Sequence, residues 1–471
     1  MVKRFTFFIA LLCLLFTLPA FAQQQDTVVP TGSEPYIIIK KVIVEGNKKT
    51  RPSIIQREVR IQPGDTIYYK DLANTLEAAR KQVLNTSLFL AVNTNIRNWE
   101  GNQADFVVDV AERWYTIALP VFKLADRNFN VWWVDQKRSL NRVNLGVRGF
   151  QDNLTGRGDK LSMEVQVGYT QKVLLGYTLP YIDKKLRHGV GFLVSYSRSR
   201  EINDSTNLNK QVFFRQDEFL REVSLFALTY SFRPAINARH QVWLSYNTES
   251  VADTIAKRNP SYLGDGRTKA KYLELLYRFN YIDADSWIYP LKGTSFQGEI
   301  AQAGFFGLAD VKYTKLRVKA TQYWQLQKKW YAAVGARVQA RFPSDQPYFM
   351  MKGMGYNEDY LRGLEYYVVD GTNFAIAKTT LRYELLSFNV HLPLIPKKFR
   401  SVPFRIYGKA YADGGYSYNK FPGNSFLNER FLYTGGIGLD IVSFYDTCLR
   451  IEYSANQFGQ KGLFLHTKID M

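Results

Sequence analysis

Four histidines, His188, His240, His391 and His466, are the first side chains to test for chemistry, and no two of them stand at a metal-ligand spacing. No Gly-x-Ser-x-Gly turn occurs, and no phosphate-cradling glycine loop opens a helix. A Ser–His pair brought together only in space could draw on His188 or His391. The expectation is therefore no enzyme, no cofactor and no metal. Asp413 says more. By period two it shares a face with Arg405, Tyr407, Lys409 and Tyr411, while Ile406, Ala410 and Ala412 take the opposite face. A carboxylate on so basic a wall has its charge compensated locally. Taken alone, though, Asp413 reads as part of a plain turn, and Arg362 as a solvated loop charge.

The elements that must position these groups are strands. From Tyr115 to the end the hydrophobic period is two. Leu161, Met163, Val165, Val167 and Tyr169 alternate with Ser162, Glu164, Gln166 and Gly168. Val190, Phe192, Val194 and Tyr196 repeat the pattern, as do Leu273, Leu275, Tyr277, Phe279 and Tyr281, and Leu316, Val318 and Ala320 against Lys315, Arg317 and Lys319. In the last segment Leu463, Leu465, Ile469 and Met471 oppose His466, Lys468 and Asp470. Alternation often runs for about nine residues or more, the length a tilted strand needs to cross a bilayer. Roughly 350 residues at about 20 to 24 per strand and loop predict about 16 strands. Short turns such as Tyr181-Ile182-Asp183 would face one compartment, and longer polar stretches such as Glu201 to Lys210 and Phe421 to Arg430 the other.

Ahead of these strands, residues 36–114 read as a small α+β domain of order β-α-α-β-β. Ile37 to Val44 is strand-like and ends at Gly46-Asn47; Ile54, Ile55 and Val59 mark a short helix. Pro63-Gly64-Asp65 is a turn, and Asp71 can cap the helix that buries Leu72, Leu76, Ala79 and Val83 as one stripe. Leu90 to Ile96 and Phe106 to Val110 alternate as strands. Residues 23–35 read as a flexible linker and residues 1–22 as a secretory signal, with Lys3 and Arg4, an apolar run from Phe5 to Phe16, and cleavage after Ala20-Phe21-Ala22. Leu12 before Cys13 argues against a lipoprotein signal.

No stretch of about 18 uninterrupted apolar residues follows, so a transmembrane helix is not expected. Aromatic residues make up 15% of the chain, with 31 Tyr and 32 Phe, as the girdles of a membrane barrel require. Cys448 is the only cysteine after the signal, so no internal disulfide forms. The net charge of +20, on an exported chain, favours anionic lipid, lipopolysaccharide or acidic clients over nucleic acid. The fold class expected is mainly β: a transmembrane antiparallel barrel over residues 115–471 behind one small α+β domain.

Several motifs now stand in order. Gly46-Asn47, Thr50, Arg57-Glu58, Gly64-Asp65 and Asn85-Thr86-Ser87-Leu88-Phe89 mark the small domain. Asn153-Leu154-Thr155-Gly156-Arg157-Gly158, Asp283 with Tyr289-Pro290-Leu291-Lys292-Gly293, Leu361-Arg362-Gly363-Leu364, and Tyr411-Ala412-Asp413-Gly414-Gly415 follow in the barrel. Together they make the chain resemble the BamA/TamA-type outer-membrane assembly factors, the bacterial surface antigen family, with one POTRA domain before a 16-stranded barrel. The resemblance spans nearly all of the expected mature chain. Leu364 stands where that family usually has Phe or Tyr, Met471 where it commonly ends in Phe, and Arg382-x-Glu384 reverses its Glu-x-Arg order.

The resemblance implies that the loop carrying Arg362 folds back into the lumen to meet Asp413. An arginine fork binds a carboxylate through two parallel hydrogen bonds. Gly363 would allow the tight turn, Gly415 the close approach, and Glu384 would take the family's glutamate role. It also implies the function: insertion of unfolded outer-membrane or secreted polypeptides, captured by strand addition on the periplasmic POTRA domain. The seam would lie between strands near Tyr115 to Leu124 and Gly462 to Met471, with periplasmic accessory proteins as further partners. A polypeptide secretion pore and a lipid or glycolipid export channel are the alternatives.

Overall fold

The computed structural model describes residues 35–126, 128–183, 185–286, 289–391, 401–443 and 447–466. The expected signal, all but Pro35 of the expected linker, and the final strand residues Ile469 and Met471 lie outside the described residues. The small domain is a four-stranded sheet of β1 (Tyr36–Glu45), β2 (Thr66–Tyr68), β3 (Phe89–Glu100) and β4 (Gln103–Glu112), in the order β2-β1-β4-β3. β1 runs parallel to β4, and the other neighbours are antiparallel. Helices Pro52–Glu58 and Tyr69–Asn85 cover one face. Ala79 and Val83 of the long helix are buried against Ile37, Ile39, Phe106 and Val108, with Leu72 and Leu76 half-buried beside them.

Two details differ from the sequence reading. Thr66–Tyr68 forms an edge strand that three residues are too few to announce by periodicity. The long helix begins at Tyr69 behind Tyr68, with no side-chain cap. Asp71 lies instead in the first turn, where a carboxylate complements the helix dipole.

The barrel strands are β5 (Thr116–Leu124), β6 (Val143–Asp152), β7 (Lys160–Gly168), β8 (Thr170–Leu179) and β9 (His188–Ser199). A hairpin, β10 (Glu201–Asn207) and β11 (Lys210–Arg215), follows, so the long polar stretch from Glu201 to Lys210 is paired backbone. Then come β12 (Arg221–Ala235), β13 (Ala238–Val251), β14 (Lys269–Ala284), β15 (Gly293–Phe305), β16 (Leu308–Gln327) and β17 (Trp330–Phe342). The long loop 343–372 contains the short ladder of β18 (Lys352–Met354) and β19 (Val369–Asp370). β20 (Asn373–His391), β21 (Ser401–Tyr418), β22 (Phe431–Ser443), β23 (Thr447–Asn456) and β24 (Lys461–His466) are the remaining strands among the described residues. Apart from the two short ladders, these make one 16-stranded antiparallel sheet in sequence order, from β5 to β24.

Met163, Val165 and Val167 of β7, Val190, Phe192 and Val194 of β9, and Leu316 and Val318 of β16 point outward and are exposed. Their neighbours Glu164 and Gln166 point inward and are buried. A water-soluble protein hides such apolar side chains; an outward apolar face around a polar interior suits hydrocarbon.

The small domain docks on one end of the barrel. Tyr115 and Tyr181, at the barrel's edge, are buried in the same apolar cluster as Ile37, Ile55 and Phe106. Arg233 of β12 holds Glu58 with two bonds, of 2.6 and 3.0 Å, and donates to the Tyr181 hydroxyl at 2.8 Å. The Arg51 amide donates to the Gly156 carbonyl at 2.9 Å, and Asn153 Nδ2 donates to Thr50 Oγ at 2.8 Å. Glu112, at the end of β4, accepts the Lys49 and Thr50 amides at 3.0 and 2.7 Å and so braces that turn. Burial opposes the charge of Glu112, but these amide bonds outweigh it and hold the carboxyl below its ordinary range.

Candidate functional site in the barrel lumen

The long loop between β17 and β20 turns back inside the barrel. Arg317 of β16 binds Asp359 of the loop with bonds of 2.9 and 2.7 Å, and Arg337 of β17 donates to the Glu358 carbonyl. These contacts bring Leu361-Arg362-Gly363-Leu364 against β20 to β23. Arg362 is fully bonded there. Its backbone amide and Nε donate to Asp413 Oδ2 at 3.0 and 2.8 Å, and Nη2 donates to Asp413 Oδ1. Nη1 reaches Thr380 Oγ and Nη2 the Thr379 carbonyl, each at 3.0 Å, while the guanidinium stacks 4.0 Å over the Tyr411 ring. Two-pronged pairing fixes orientation as well as distance.

Both glycines have a steric reason. Gly363 has φ +97, a conformation L side chains rarely adopt, and a Cβ there would stand 3.0 Å from Ser454 Cβ. Its carbonyl accepts from Asn456 Nδ2 at 2.9 Å. A Cβ on Gly415 would press on Leu361 Cδ1 at 3.1 Å. Leu364, in the place of an aromatic residue, packs with Leu361, Phe374, Ile376, Leu427 and Leu432.

A second charged layer lies nearer the small domain. Asp440 of β22 accepts from Lys409 and from the Tyr289 hydroxyl at 2.7 Å, with Arg450 Nε at 3.2 Å and Arg382 Nε at 3.8 Å. Tyr289, from the Tyr-Pro-Leu-Lys-Gly turn between β14 and β15, stacks on Tyr407. Lys409 also lies 2.8 Å from Glu452 Oε1, which bridges the two layers.

The structure thus brings together Arg362, Gly363, Asp413 and Gly415, and leaves Glu384 out. Glu384 is four residues beyond Thr380 on β20, about 13 Å along the strand, and pairs in register with Tyr407 beside a bulge. The carboxylates near Arg362 are instead Glu452, 4.0 Å away, and Glu365, which accepts the Gly363 amide at 2.6 Å. Period two places Glu452 on an inward face, but no spacing in the sequence ties it to residue 362. Lys409, read at first as one of several wall cations, is buried between Asp440 and Glu452. His188 bonds the Tyr230 hydroxyl and stacks on Phe232, in an aromatic group on β9 and β12.

The Omp85 superfamily domain profile matches residues 153–444, more than half of the chain. The chain belongs to the Omp85 superfamily. The POTRA profile, described as a surface antigen variable number repeat, matches residues 37–113. No curated protein matches the sequence. Among solved structures, this Omp85 chain is similar to BamA from Haemophilus ducreyi lacking POTRA domains 1-3, at 16% identity and a TM-score of 0.52, over 92% of this chain and 83% of that one. It is also similar to CdiB from Escherichia coli, at 11% identity and a TM-score of 0.51, over 93% and 92% of the two chains. CdiB from Acinetobacter baumannii gives 13% identity and a TM-score of 0.50, over 92% and 73%. At these identities the likeness is one of fold.

Within the Omp85 barrel, β5 and β24 are the two ends of the sheet, and among the described residues no ladder joins them. Side chains bridge them at the end away from the POTRA domain. Asn130, beyond β5, donates to the Leu463 carbonyl of β24 at 2.5 Å, and Asn128 donates to the Glu365 carbonyl at 2.9 Å. Tyr366 of the long loop packs on Phe464.

Proposed function

We propose that this Omp85 protein works in the bacterial outer membrane as an assembly and insertion factor for other polypeptides, with its POTRA domain in the periplasm. The observation that carries the reading is that, among the described residues, no ladder joins the two ends of the barrel sheet. A strand edge with unpaired amides and carbonyls is a template for another strand, and here the two edges stand beside an outward apolar face. The POTRA sheet offers edges of its own, β2 and β3, and main-chain pairing suits unfolded clients whose sequences vary but whose backbones do not. The paired charges and the loop inside the barrel oppose a path straight through the lumen, which ranks insertion above a secretion pore or a lipid channel. Arg362, Gly363, Asp413 and Gly415 serve in this reading as a lock that keeps the loop seated while the seam works.

Depletion followed by a quantitative census of the outer membrane separates the readings. Broad loss of barrel proteins is the expected outcome. Loss of a single exported protein, or of surface glycolipid alone, would replace insertion with secretion or lipid export.

A further inference from the structure

Beside the Arg362–Asp413 pair, Glu452 Oε1 is held by ion pairs alone, and Glu365 Oε1, Glu452 Oε2 and His466 Nε2 make no hydrogen bond. They come from the long loop, β23 and β24, and lie within 4.8 Å of one another. The imidazole nitrogen is 3.5 Å from each carboxylate oxygen. The other polar atom of each side chain has a partner, through a hydrogen bond in Glu365 and His466 and through an ion pair in Glu452. The Gly363 amide donates to Glu365 Oε2 at 2.6 Å. Lys409 Nζ faces Glu452 Oε1 at 2.8 Å. The Tyr360 hydroxyl faces His466 Nδ1 at 3.5 Å, with its ring stacked on the imidazole.

Outer partners that fix one atom of each ligand, and leave the other aimed at a common point, are what metal-binding histidines and carboxylates have. A tetrahedral ion with bonds of about 2.1 Å separates its ligand atoms by about 3.4 Å, close to the two nitrogen–oxygen distances here. Burial adds to the case. Glu365 is 3% exposed and Glu452 0%, and a buried carboxylate oxygen without a partner is costly. Lys409, Arg450 and Arg362 approach Glu452 through Oε1, at 2.8, 3.8 and 4.0 Å, which leaves Oε2 facing the imidazole.

The geometry points to a divalent-cation site of the zinc class, formed by Glu365 Oε1, Glu452 Oε2 and His466 Nε2. One imidazole with two carboxylates favours a transition-series ion over magnesium or calcium, which prefer oxygen alone. Water completes the tetrahedron. The ion ties the inserted loop to the last two strands, and so braces the edge at which the sheet ends.

The test uses the full chain, purified in detergent without a histidine tag, stripped with a chelator and titrated with zinc chloride against a chromophoric competitor. One saturable equivalent is expected, with magnesium unable to compete. Glu365→Gln and His466→Gln should each weaken binding at least tenfold, while His240→Gln on β13 should not. Heat-modifiable gel mobility shows whether each variant retains its barrel. X-ray absorption at the zinc edge of the unaltered protein does not depend on any variant; it should show one imidazole among oxygen ligands at about 2.0 to 2.1 Å. Absence of a saturable site, binding that survives both substitutions, or a zinc spectrum lacking imidazole overturns the proposal. In the first case His466 acts as a plain bridge between two carboxylates.

Discussion

Arg362 and Asp413 are 3% and 4% exposed, and every guanidinium nitrogen of Arg362 has a hydrogen-bonded acceptor. Removing one partner from such a pair leaves the other charge buried and unmatched, at a cost of about 3 to 5 kcal/mol. Arg362→Ala and Asp413→Asn should therefore lower the barrel's unfolding midpoint strongly. The double variant should cost much less than the two single costs combined, because the second change removes the stranded charge. Lys123→Gln is the suitable control. Its side chain is 44% exposed and its ammonium lies 3.5 Å from Glu164 on another part of the wall, where an ion pair contributes at most about 1 kcal/mol. Lys409 is unsuitable as a control because it holds Asp440 and Glu452 at once. Heat-modifiable mobility and urea titration in vesicles measure all four variants. Equal, small effects would remove the lock.

At the scale of elements, the POTRA domain and the barrel share one apolar cluster, and the Glu58–Arg233 pair closes its edge. This makes the joint a packed interface rather than a hinge on a free linker. Glu112 contributes to it indirectly, by holding the turn that reaches Asn153 and Gly156. Its carboxyl is lowered from the ordinary value of 4.5 by accepting amides in the folded state. The sign follows from linkage: the contribution is complete above 4.5 and is lost as pH falls below it, through the depressed folded value. Protease cleavage at the joint should rise over that acid window in the native protein. Glu112→Gln should be cleaved faster at neutral pH and respond less to acid. An unchanged acid response in Glu112→Gln would assign the effect to another group.

At the scale of the whole molecule, the outward side chains give a test that separates membrane from water. Val165 is 52% exposed in the middle of β7. In a soluble protein Val165→Arg would change stability by roughly 0.5 kcal/mol or less. On the lipid face near the midplane of a bilayer it should cost about 2 to 4 kcal/mol. Refolding yield and urea titration in lipid vesicles distinguish the two, and a neutral Val165→Arg would contradict a lipid-facing β7.

The alternation from Tyr115 onward determined the strands, their inward and outward faces and the inward side of Asp413, because a pleated strand turns every second side chain the same way. The order of glycine, arginine and aspartate motifs was also readable as a resemblance. Three things depended on the tertiary structure. Period two assigns Glu452 to a face but not to a partner, and only curling of the sheet brings β23 beside the loop from residue 343 to 372. Glu384 shares a face with Thr380, yet strand rise carries it out of reach of Arg362. Glu365, Glu452 and His466 lie too far apart in sequence for any ligand spacing to join them. Curling of the sheet around an inserted loop, a property of the sheet as a whole, is what brings them together.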